Sequence, residues 1–451
     1  MNRKDELETR FGRAVDVLLG ELRGDEELSL EFSGEDSVFL RFNEARVRQI
    51  GAVDKAELLL TYCRKGRTMR SSFAVSGEAG ADAELAASAL GRVRREASLL
   101  PEDPYQTLPA TEGVSREVFA GSLPDAARLP EIVLGPAESL AAEGAAYVGI
   151  HTQGRVARGA ANSRGACHWF ETESFITDYS AYLANGKATK SLYAGRIWDG
   201  EEYGRRLAAE RPRLAALALP PKILPPGEYR AWLAPEAFAR IVPYFSWHGI
   251  GEREIREGES AWLALREGRK TLSPRFRLDQ DFSLGLEPRF NELGEVAPES
   301  LALIGEGRLL DTLVSARSAR QYGLSGNGAP EDEWLRSASV GAGELDERAA
   351  LEAIGSGLYL SNLHYLNWSD FQSARVTGMT RYACFWVEGG KIAAPIGDMR
   401  FDESLYRLFG DKLVGLSRQR SPVVETSSYG RRALGGSLLP GILVEGLTFT
   451  L

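Results

Sequence analysis

The chain has 451 residues, of which 43% are hydrophobic and 26% charged, and its formal net charge is -9 at pH 7. This composition is typical of a globular protein of two or three domains and excludes fibrous and disordered chains. The acidic balance argues against a nucleic-acid-binding protein, which would usually carry a basic face. The three cysteines, Cys63, Cys167 and Cys384, are far apart and odd in number, so we expect a reducing compartment and no disulfide framework.

The N-terminal segment and the hydropathy pattern predict a cytoplasmic protein. The first 22 residues are charged from the start, unlike a secretory signal. No run of 18 or more apolar residues is present that could cross a membrane. We therefore expect neither nucleic acid nor a membrane among the partners of this chain.

The first half of the chain predicts helices and antiparallel strands. Apolar residues recur at three- and four-residue steps over 4–23, which predicts an amphipathic helix. The β-rich runs that follow are broken by Ser-Gly, Asn-Glu and Lys-Gly pairs, which predict an antiparallel meander. The pair Asn185-Gly186 predicts a type I′ hairpin turn. Further helices are predicted over 81–99, 124–143 and 201–217.

The second half is predicted to be mostly β. Four prolines over 219–230 indicate a linker, with a domain boundary near residue 225. A hairpin with Gly389-Gly390 at its tip is also predicted. Short helices are predicted over 235–242, 299–305, 346–355 and 402–410. Helices and strands alternate irregularly, so we expect an α+β protein. Its N-terminal region (1–225) would hold an antiparallel meander with helices, and its C-terminal region (226–451) a curled mixed sheet.

No common catalytic or metal-binding motif is present. The chain has four histidines, none of them at helix-turn spacing: His151, His168, His248 and His364. His168 with Glu171 and Glu173 is a conceivable ligand set, but a strand residue beside Trp169 is better explained by sheet packing. There is no G-x-S-x-G elbow and no Walker motif, so the Gly/Ser segments near 427–430 and 435–437 are predicted to be flexible connections.

The segment EYRAWLAPEAFARIVPYFSWHG (228–249) predicts a short helix over 235–242. Pro235 suits the first helical position, and Glu236 beside it complements the helix dipole. Pro243 would end the helix, because the residue before a proline avoids the α region. Glu236 and Arg240 lie four residues apart and are placed to form a surface ion pair, which would be no evidence of function.

The segment VTGMTRYACFWVEGGKI (376–392) resembles the signature V-T-G-[DE]-…-F-W-[VI]-E-[NG]-G-[KE]-I of the TldD/TldE (PmbA) peptidase family. Other segments are also similar to family landmarks: LLPEDPYQTLP (99–109), ANSRG (161–165), PGEYRAWLAPEA (226–237), GLYLSNL (357–363) and LPGILVEGLTF (439–449). The resemblance therefore covers almost the whole chain.

The departures from this family concern its zinc site. Where the zinc-bearing TldD half has H-E-x-x-x-H, this chain has PEAFAR, with Pro235, Glu236 and Arg240 at the three motif positions. A proline nitrogen and a protonated guanidinium carry no lone pair for a metal. Ser427 or Ser428 stands where a further cysteine ligand would fall, and a serine hydroxyl is a poor zinc ligand beside a thiolate.

The resemblance therefore implies a metal-free TldE/PmbA-like subunit with no catalytic residues of its own. Met379 replaces the acidic residue after V-T-G, and we assign no role to this change. Zinc is expected in a TldD-like partner, where it would activate water while a glutamate takes the proton. This chain would close a chamber that admits unfolded or extended peptides, in proteolysis or peptide maturation.

Three residues are candidates for contact with the peptide or the partner: Arg381, Trp386 and Tyr429. The strand 382–388 is either an edge to which a peptide adds or an internal strand. Two alternatives to the family role stay open. One is a stand-alone homodimer that binds peptides or acts as a scaffold without catalysis. The other is an independent hydrolase that uses Ser427 or Ser428 with a histidine.

Overall fold

A computed structural model describes residues 6–450 except 107, 110, 139 and 141–143, and its strands form two sheets. The strands of the first sheet are β1 (Glu27–Asn43), β2 (Arg46–Arg64), β3 (Arg67–Ala74), β4 (Gly113–Phe119), β5 (Ala146–Asn162), β6 (Ala166–Tyr182) and β7 (Ala188–Gly195). Their order is β3-β2-β1-β5-β6-β4, and β7 pairs with β6 beside β4. Every pair in this sheet is antiparallel except β4 with β6.

Helices α1 (Glu6–Gly20) and α2 (Ala79–Ala97) share one core with this sheet. The alternation of β1 buries Leu28, Leu30 and Phe32 completely, and apolar residues of β2 and α1 surround them. A second core gathers around three buried tyrosines, Tyr147, Tyr179 and Tyr203. The helices there are α3 (Leu129–Leu134) and α4 (Gly200–Leu217).

The second sheet has thirteen strands and is mixed. They are β8 (Gly227–Leu233), β9 (Leu278–Asp281), β10 (Ser300–Gly305), β11 (Arg308–Leu309), β12 (Ser337–Val340), β13 (Gly357–Leu360), β14 (Asn362–Asp370), β15 (Arg375–Arg381), β16 (Phe385–Glu388), β17 (Lys391–Pro395), β18 (Arg400–Ser404), β19 (Leu413–Val424) and β20 (Gly436–Phe449). The main order is β11-β10-β9-β12-β20-β8-β13-β16-β17, and β20 also pairs with β18 and β19. The pairs β12–β20 and β8–β13 are parallel.

Short helices pack against this sheet: α5 (Pro235–Ala239), α6 (Glu252–Glu257), α7 (Leu263–Arg266), α8 (Ala316–Tyr322), α9 (Ala350–Ile354) and α10 (Leu405–Leu408). Their core is rich in aromatic rings, with Phe245 stacked on Trp262 at 4.5 Å and Phe276 on Phe409 at 4.5 Å between ring centroids. Aromatic pairs of this kind add to the stabilisation that apolar burial provides. No helix in the described ranges has the length and apolar character needed to cross a bilayer.

The predicted α+β class, with an N-terminal meander and a mixed C-terminal sheet, is confirmed. The Gly389-Gly390 hairpin is also confirmed, and the φ angles of 57° and 76° fit a type I′ turn. The division into regions 1–225 and 226–451 stays a prediction. Parts of two predicted helices, residues 4–5, 139 and 141–143, lie outside the described residues.

Several local predictions were wrong. Within the segment 299–305, residues Ser300–Gly305 form β10, because this apolar run fits a buried strand as well as a helix. The segment 402–410 begins as β18 and is helical only from Leu405. Within 124–143, α3 is flanked by separate 3₁₀ turns. The Ser33-Gly34 pair, which was predicted to break the meander, lies inside the continuous strand β1.

The turn at Asn185-Gly186 joins β6 and β7, as the hairpin prediction required. It is not the predicted type I′ turn, which needs positive φ at both central residues. Gly186 has a φ of 81°, whereas the φ of Asn185 is not positive. The glycine alone therefore supplies the left-handed conformation at this turn.

Candidate functional site

Helix α5 occupies the segment where the sequence predicted a degenerate metal helix. Its first residue, Pro235, is buried, as are Ala237 and Phe238. The helix ends at Ala239, three residues earlier than predicted. Pro243 does not end it, but lies in the 3₁₀ helix Val242–Phe245 that follows. The segment therefore serves as a short packing element under the C-terminal sheet.

Glu236 is the one carboxylate of this helix, and it is half-buried beside α4. Burial raises the pKa of Glu236, and the nearby charges of Arg213 and Arg206 oppose that shift. Arg240 is exposed, and no ion pair between Glu236 and Arg240 is found among the described residues. The residues at the three motif positions do not fit a zinc ion, because they supply a single donor side chain.

The loop 425–435, between β19 and β20, carries the serines that replace the expected cysteine. Ser427, Ser428 and Tyr429 are exposed, and Tyr429 is fully so. The Ser427 N–H donates to Glu425 Oε1 at 2.9 Å, and the Ala433 N–H donates to the Ser427 carbonyl at 2.9 Å. These bonds give the loop internal structure, so it is not only a flexible connection.

Arg432 anchors this loop on the N-terminal sheet. Its buried guanidinium donates to the Gly154 carbonyl at 3.2 Å and to Ser174 Oγ at 2.9 Å. Its backbone N–H donates to Glu35 Oε2 at 2.8 Å. Burial lowers the pKa of Arg432 to about 10, while the charge of Glu35 opposes the shift. The C-terminal half is thereby joined to β1, β5 and β6 of the N-terminal half.

The anchored loop and the sheet line a cavity of about 1190 Å³ that is open to solvent. Its walls are β1, β2, β5, β6, β7 and residues 427–432. Six of the lining side chains are basic and two are acidic, which is unusual in a chain of net charge -9. Ser427, Ser428 and Tyr429 line it, whereas Glu236, Arg381 and Trp386 do not. The structure thus brings together only part of the predicted site.

The four histidines are each engaged separately. The ring of His168 lies 2.8 Å from Ser115 Oγ, His248 Nδ1 donates to the Glu259 carbonyl at 2.9 Å, and His364 Nδ1 accepts from the Tyr365 N–H at 2.9 Å. Within the described ranges, no histidine bonds to Ser427 or Ser428, and no group of three His, Cys, Asp or Glu side chains is arranged for a metal. The arrangement gives no support to the serine-hydrolase alternative.

His151 is fully buried, and its hydrogen bonds fit a neutral imidazole. Gln153 is held by the Pro124 carbonyl, so its Oε1 accepts from His151 Nε2–H at 3.0 Å, and Thr177 Oγ1 donates to Nδ1 at 2.8 Å. Burial lowers the pKa of His151 to about 4, and the charge of Arg432 adds to this shift. An unfolded histidine has a pKa of about 6.5.

We therefore expect His151 to make the protein less stable in mild acid. As the pH falls from about 6.5 toward 4, His151 binds a proton in the unfolded state but not in the folded state. This difference removes roughly 3 kcal/mol of the free energy of unfolding. Urea unfolding between pH 4 and pH 8 should show this slope in the wild type and a shallower one in His151→Gln. Equal slopes in the two proteins would contradict the assignment.

Trp386 and Arg381 lie on the C-terminal sheet. Strand β16, which carries Trp386, pairs with β13 on one side and β17 on the other. Of the two options for 382–388, the internal strand is therefore correct. Lys222 Nζ lies 4.4 Å from the centre of the Trp386 ring, and Arg381 lies over Tyr382 at 5.3 Å. Their contacts with a peptide or partner stay a prediction.

Sequence reasoning missed Arg432, Glu35 and the basic cavity. The one local signal was the Arg431-Arg432 pair inside a Gly/Ser loop, which nothing in the sequence links to Glu35, 397 positions away.

The C-terminal half matches a known family model, and the whole chain matches solved structures. Residues 226–451 match the PmbA/TldA metallopeptidase C-terminal domain. TldE from Thermococcus kodakarensis is 14% identical, with a TM-score of 0.77 over 94% of this chain and 97% of that one. A candidate modulator of a DNA gyrase from Thermotoga maritima is 17% identical, with a TM-score of 0.74 over 98% and 100%.

A candidate modulator of DNA gyrase from Bacteroides thetaiotaomicron is 15% identical, with a TM-score of 0.73 over 99% of each chain. At these identities the likeness shows the fold alone. No curated protein matches the chain.

Proposed function

Because the chain belongs to the PmbA/TldA metallopeptidase family, as the match of its C-terminal domain shows, we propose that it is the TldE-like subunit of a two-chain zinc peptidase. In this assembly the TldD-like partner holds zinc and cleaves the peptide bond. The present chain supplies a wall of the chamber and binds the unfolded or extended peptide. It performs no step of the cleavage itself.

One observation carries this proposal: the side chains that α5 offers as metal ligands. Pro235 is buried in the core, Arg240 is exposed, and Glu236 lies alone between them. A hydrolytic zinc site needs three protein ligands that converge within about 2.3 Å of the metal. Ser427 and Ser428 line the basic cavity, which Glu236 does not reach. The residues in hand therefore favour a peptide-binding role over a catalytic one.

The first experiment expresses this chain alone and together with a TldD-like chain of the same organism. We expect well under 0.1 zinc per chain in the isolated protein, a stable heterodimer on co-expression, and chelator-sensitive cleavage of an unfolded peptide by the heterodimer only. About one zinc per isolated chain would contradict the proposal. A homodimer that does not bind the TldD-like chain would favour the stand-alone scaffold instead.

The heterodimer also allows a test of Glu236. Glutamine keeps the size and shape of the side chain but cannot accept a proton, so Glu236→Gln should leave the cleavage rate within about twofold if this chain supplies no general base. The matched control is the same Glu→Gln change in the zinc motif of the TldD-like chain, which should abolish cleavage. Loss of activity with folded Glu236→Gln protein would place a general base in this chain.

A further inference from the structure

Strand β2 has an open edge beside the basic cavity. It pairs with β1 from Arg46 to Cys63, with a bulge at Arg48, whereas β3 pairs only with Glu57–Arg64. The Val75 N–H then donates to the Ala56 carbonyl at 2.9 Å and ends this cover. Within the described part of the chain, residues 46–55 have no strand on their outer side. This open edge is roughly 30 Å long at the usual rise per strand residue.

The backbone of this edge is arranged to receive another strand. In an antiparallel ladder, every second residue directs its N–H and C=O to the same side. Ala56 directs its carbonyl outward to Val75. Ile50, Ala52 and Asp54 have the same parity and therefore present their backbone groups to solvent. An unpaired row of this kind is a template for an added strand.

The face of this edge that lines the cavity is basic. Lys55, Arg48 and Arg41 all line the cavity and are exposed. Lys55 Nζ donates to the Gly430 carbonyl at 3.0 Å, and no ion pair of Arg41 or Arg48 is found among the described side chains.

The two acidic residues of the cavity are already engaged. Glu35 accepts from Ser37 Oγ and from the Arg432 backbone. Asp178 is paired with Lys190. The charges of Arg41 and Arg48 are therefore left without an acidic partner among the described residues.

We propose that this site, the β2 edge together with the basic cavity, binds an extended peptide segment that carries acidic side chains. The segment pairs with the outward backbone groups of Ile50, Ala52 and Asp54, and its acidic residues extend toward Arg41 and Arg48. Tyr429 is positioned to cover it from the loop. That the bound segment is a substrate rests on the proposed function, whereas the binding itself does not.

Charge selects this occupant over a second copy of the chain. Antiparallel self-pairing would place the cavity faces of both copies on one side of the joined sheet, so the exposed Arg41 and Arg48 of each copy would lie near those of the other. Like charges on neighbouring strands destabilise a pair, whereas opposite charges stabilise it. An acidic segment supplies the missing partners and leaves the backbone pairing unchanged.

The test uses the full chain alone and two fluorescent peptides of about ten residues. The peptides differ only in whether four alternate positions carry Glu or Gln. We expect anisotropy titrations to show at least tenfold tighter binding of the Glu peptide at low salt. Because salt screens exposed charges, the difference should shrink to about twofold near 0.5 M. Equal affinity of the two peptides would overturn the proposal.

Backbone pairing is tested with two further Glu peptides, N-methylated at alternating sets of positions. Only one set faces the edge in an added strand, so one isomer should lose binding and the other should keep it. In the protein, Ala52→Pro removes an outward N–H at a position where proline is tolerated on an edge. It should abolish binding, whereas Ala52→Thr should not. Equal behaviour of the two isomers would overturn the pairing.

The outcomes separate this inference from the proposed function. Charge-selective binding by a chain that never joins a zinc-bearing partner would support the site and reject the assembly. An active heterodimer that shows no preference for the Glu peptide would support the assembly and reject the acidic-peptide site. A wild-type dimer that Ala52→Pro converts to a monomer would show that a second copy occupies the edge, and would overturn the proposal.

Discussion

The Arg432→Ala variant is expected to lose about 3 kcal/mol of stability and to release the loop 425–435. The guanidinium hydrogen-bonds to the Gly154 carbonyl and to Ser174, and it lies near the buried Glu35. Removing one partner of such a buried polar network leaves the others unsatisfied, which costs more than the bonds themselves contributed. Urea unfolding would measure the loss, and limited proteolysis would detect the released loop.

Arg431 provides the matched control one residue earlier. Its side chain is exposed, and it contacts Ser33 and lies 3.7 Å from Glu57. Exposed ion pairs contribute little, so Arg431→Ala should change stability by less than about 1 kcal/mol. Equal destabilisation by the two variants, or a loop that stays protected in Arg432→Ala, would show that Arg432 is not the anchor.

The Phe238→Ala variant is expected to be destabilised by about 4 kcal/mol, because α5 is a packing element. Phe238 is fully buried in the main C-terminal core and lies 5.6 Å from the Phe409 ring. Truncating a buried phenylalanine removes its apolar burial and leaves a cavity. The free energy of unfolding, followed by tryptophan fluorescence in urea, checks the size of the effect.

Arg240→Ala serves as the control on the same segment. Its side chain is exposed at the end of α5, so we expect a change within about 0.5 kcal/mol. If Arg240→Ala lowered the free energy of unfolding as much as Phe238→Ala, a polar contact of Arg240 would hold the helix in position. The packing account of α5 would then be wrong.

The elements that sequence reasoning found are those with strong local signals. The β-rich runs broken by Asn-Glu and Lys-Gly pairs predicted the N-terminal meander. The Gly389-Gly390 pair predicted the separate hairpin of β16 and β17, and both glycines have positive φ. The segment 299–305 was misjudged because the run of apolar or small residues Ser300–Gly305 fits either a helical or a strand period. Its pairing with β9 decides the outcome, and that contact is not local.

The candidate site was harder to predict because its parts meet only in the fold. The loss of metal ligands at α5 followed from the family resemblance together with the residue types at the three motif positions. The cavity, in contrast, forms where a loop near residue 430 lies on strands from the first 195 residues. The open edge of β2 depends on where β3 stops pairing, and the length of a strand partner cannot be inferred from alternation. Sequence patterns therefore predicted the individual helices and strands better than the contacts between elements that are distant in the sequence.

The position of β20 has a consequence for how the protein folds as it leaves the ribosome. This strand pairs with β8, β12, β18 and β19, so it lies in the middle of a sheet whose other strands are all translated before it. Until Gly436–Phe449 is made, β8 and β12 each lack a neighbour, and their apolar side chains stay accessible to chaperones. The first sheet has all its strands by residue 195 and can form much earlier. Nascent chains halted before residue 436 should therefore hold a folded first sheet joined to an unfinished second one.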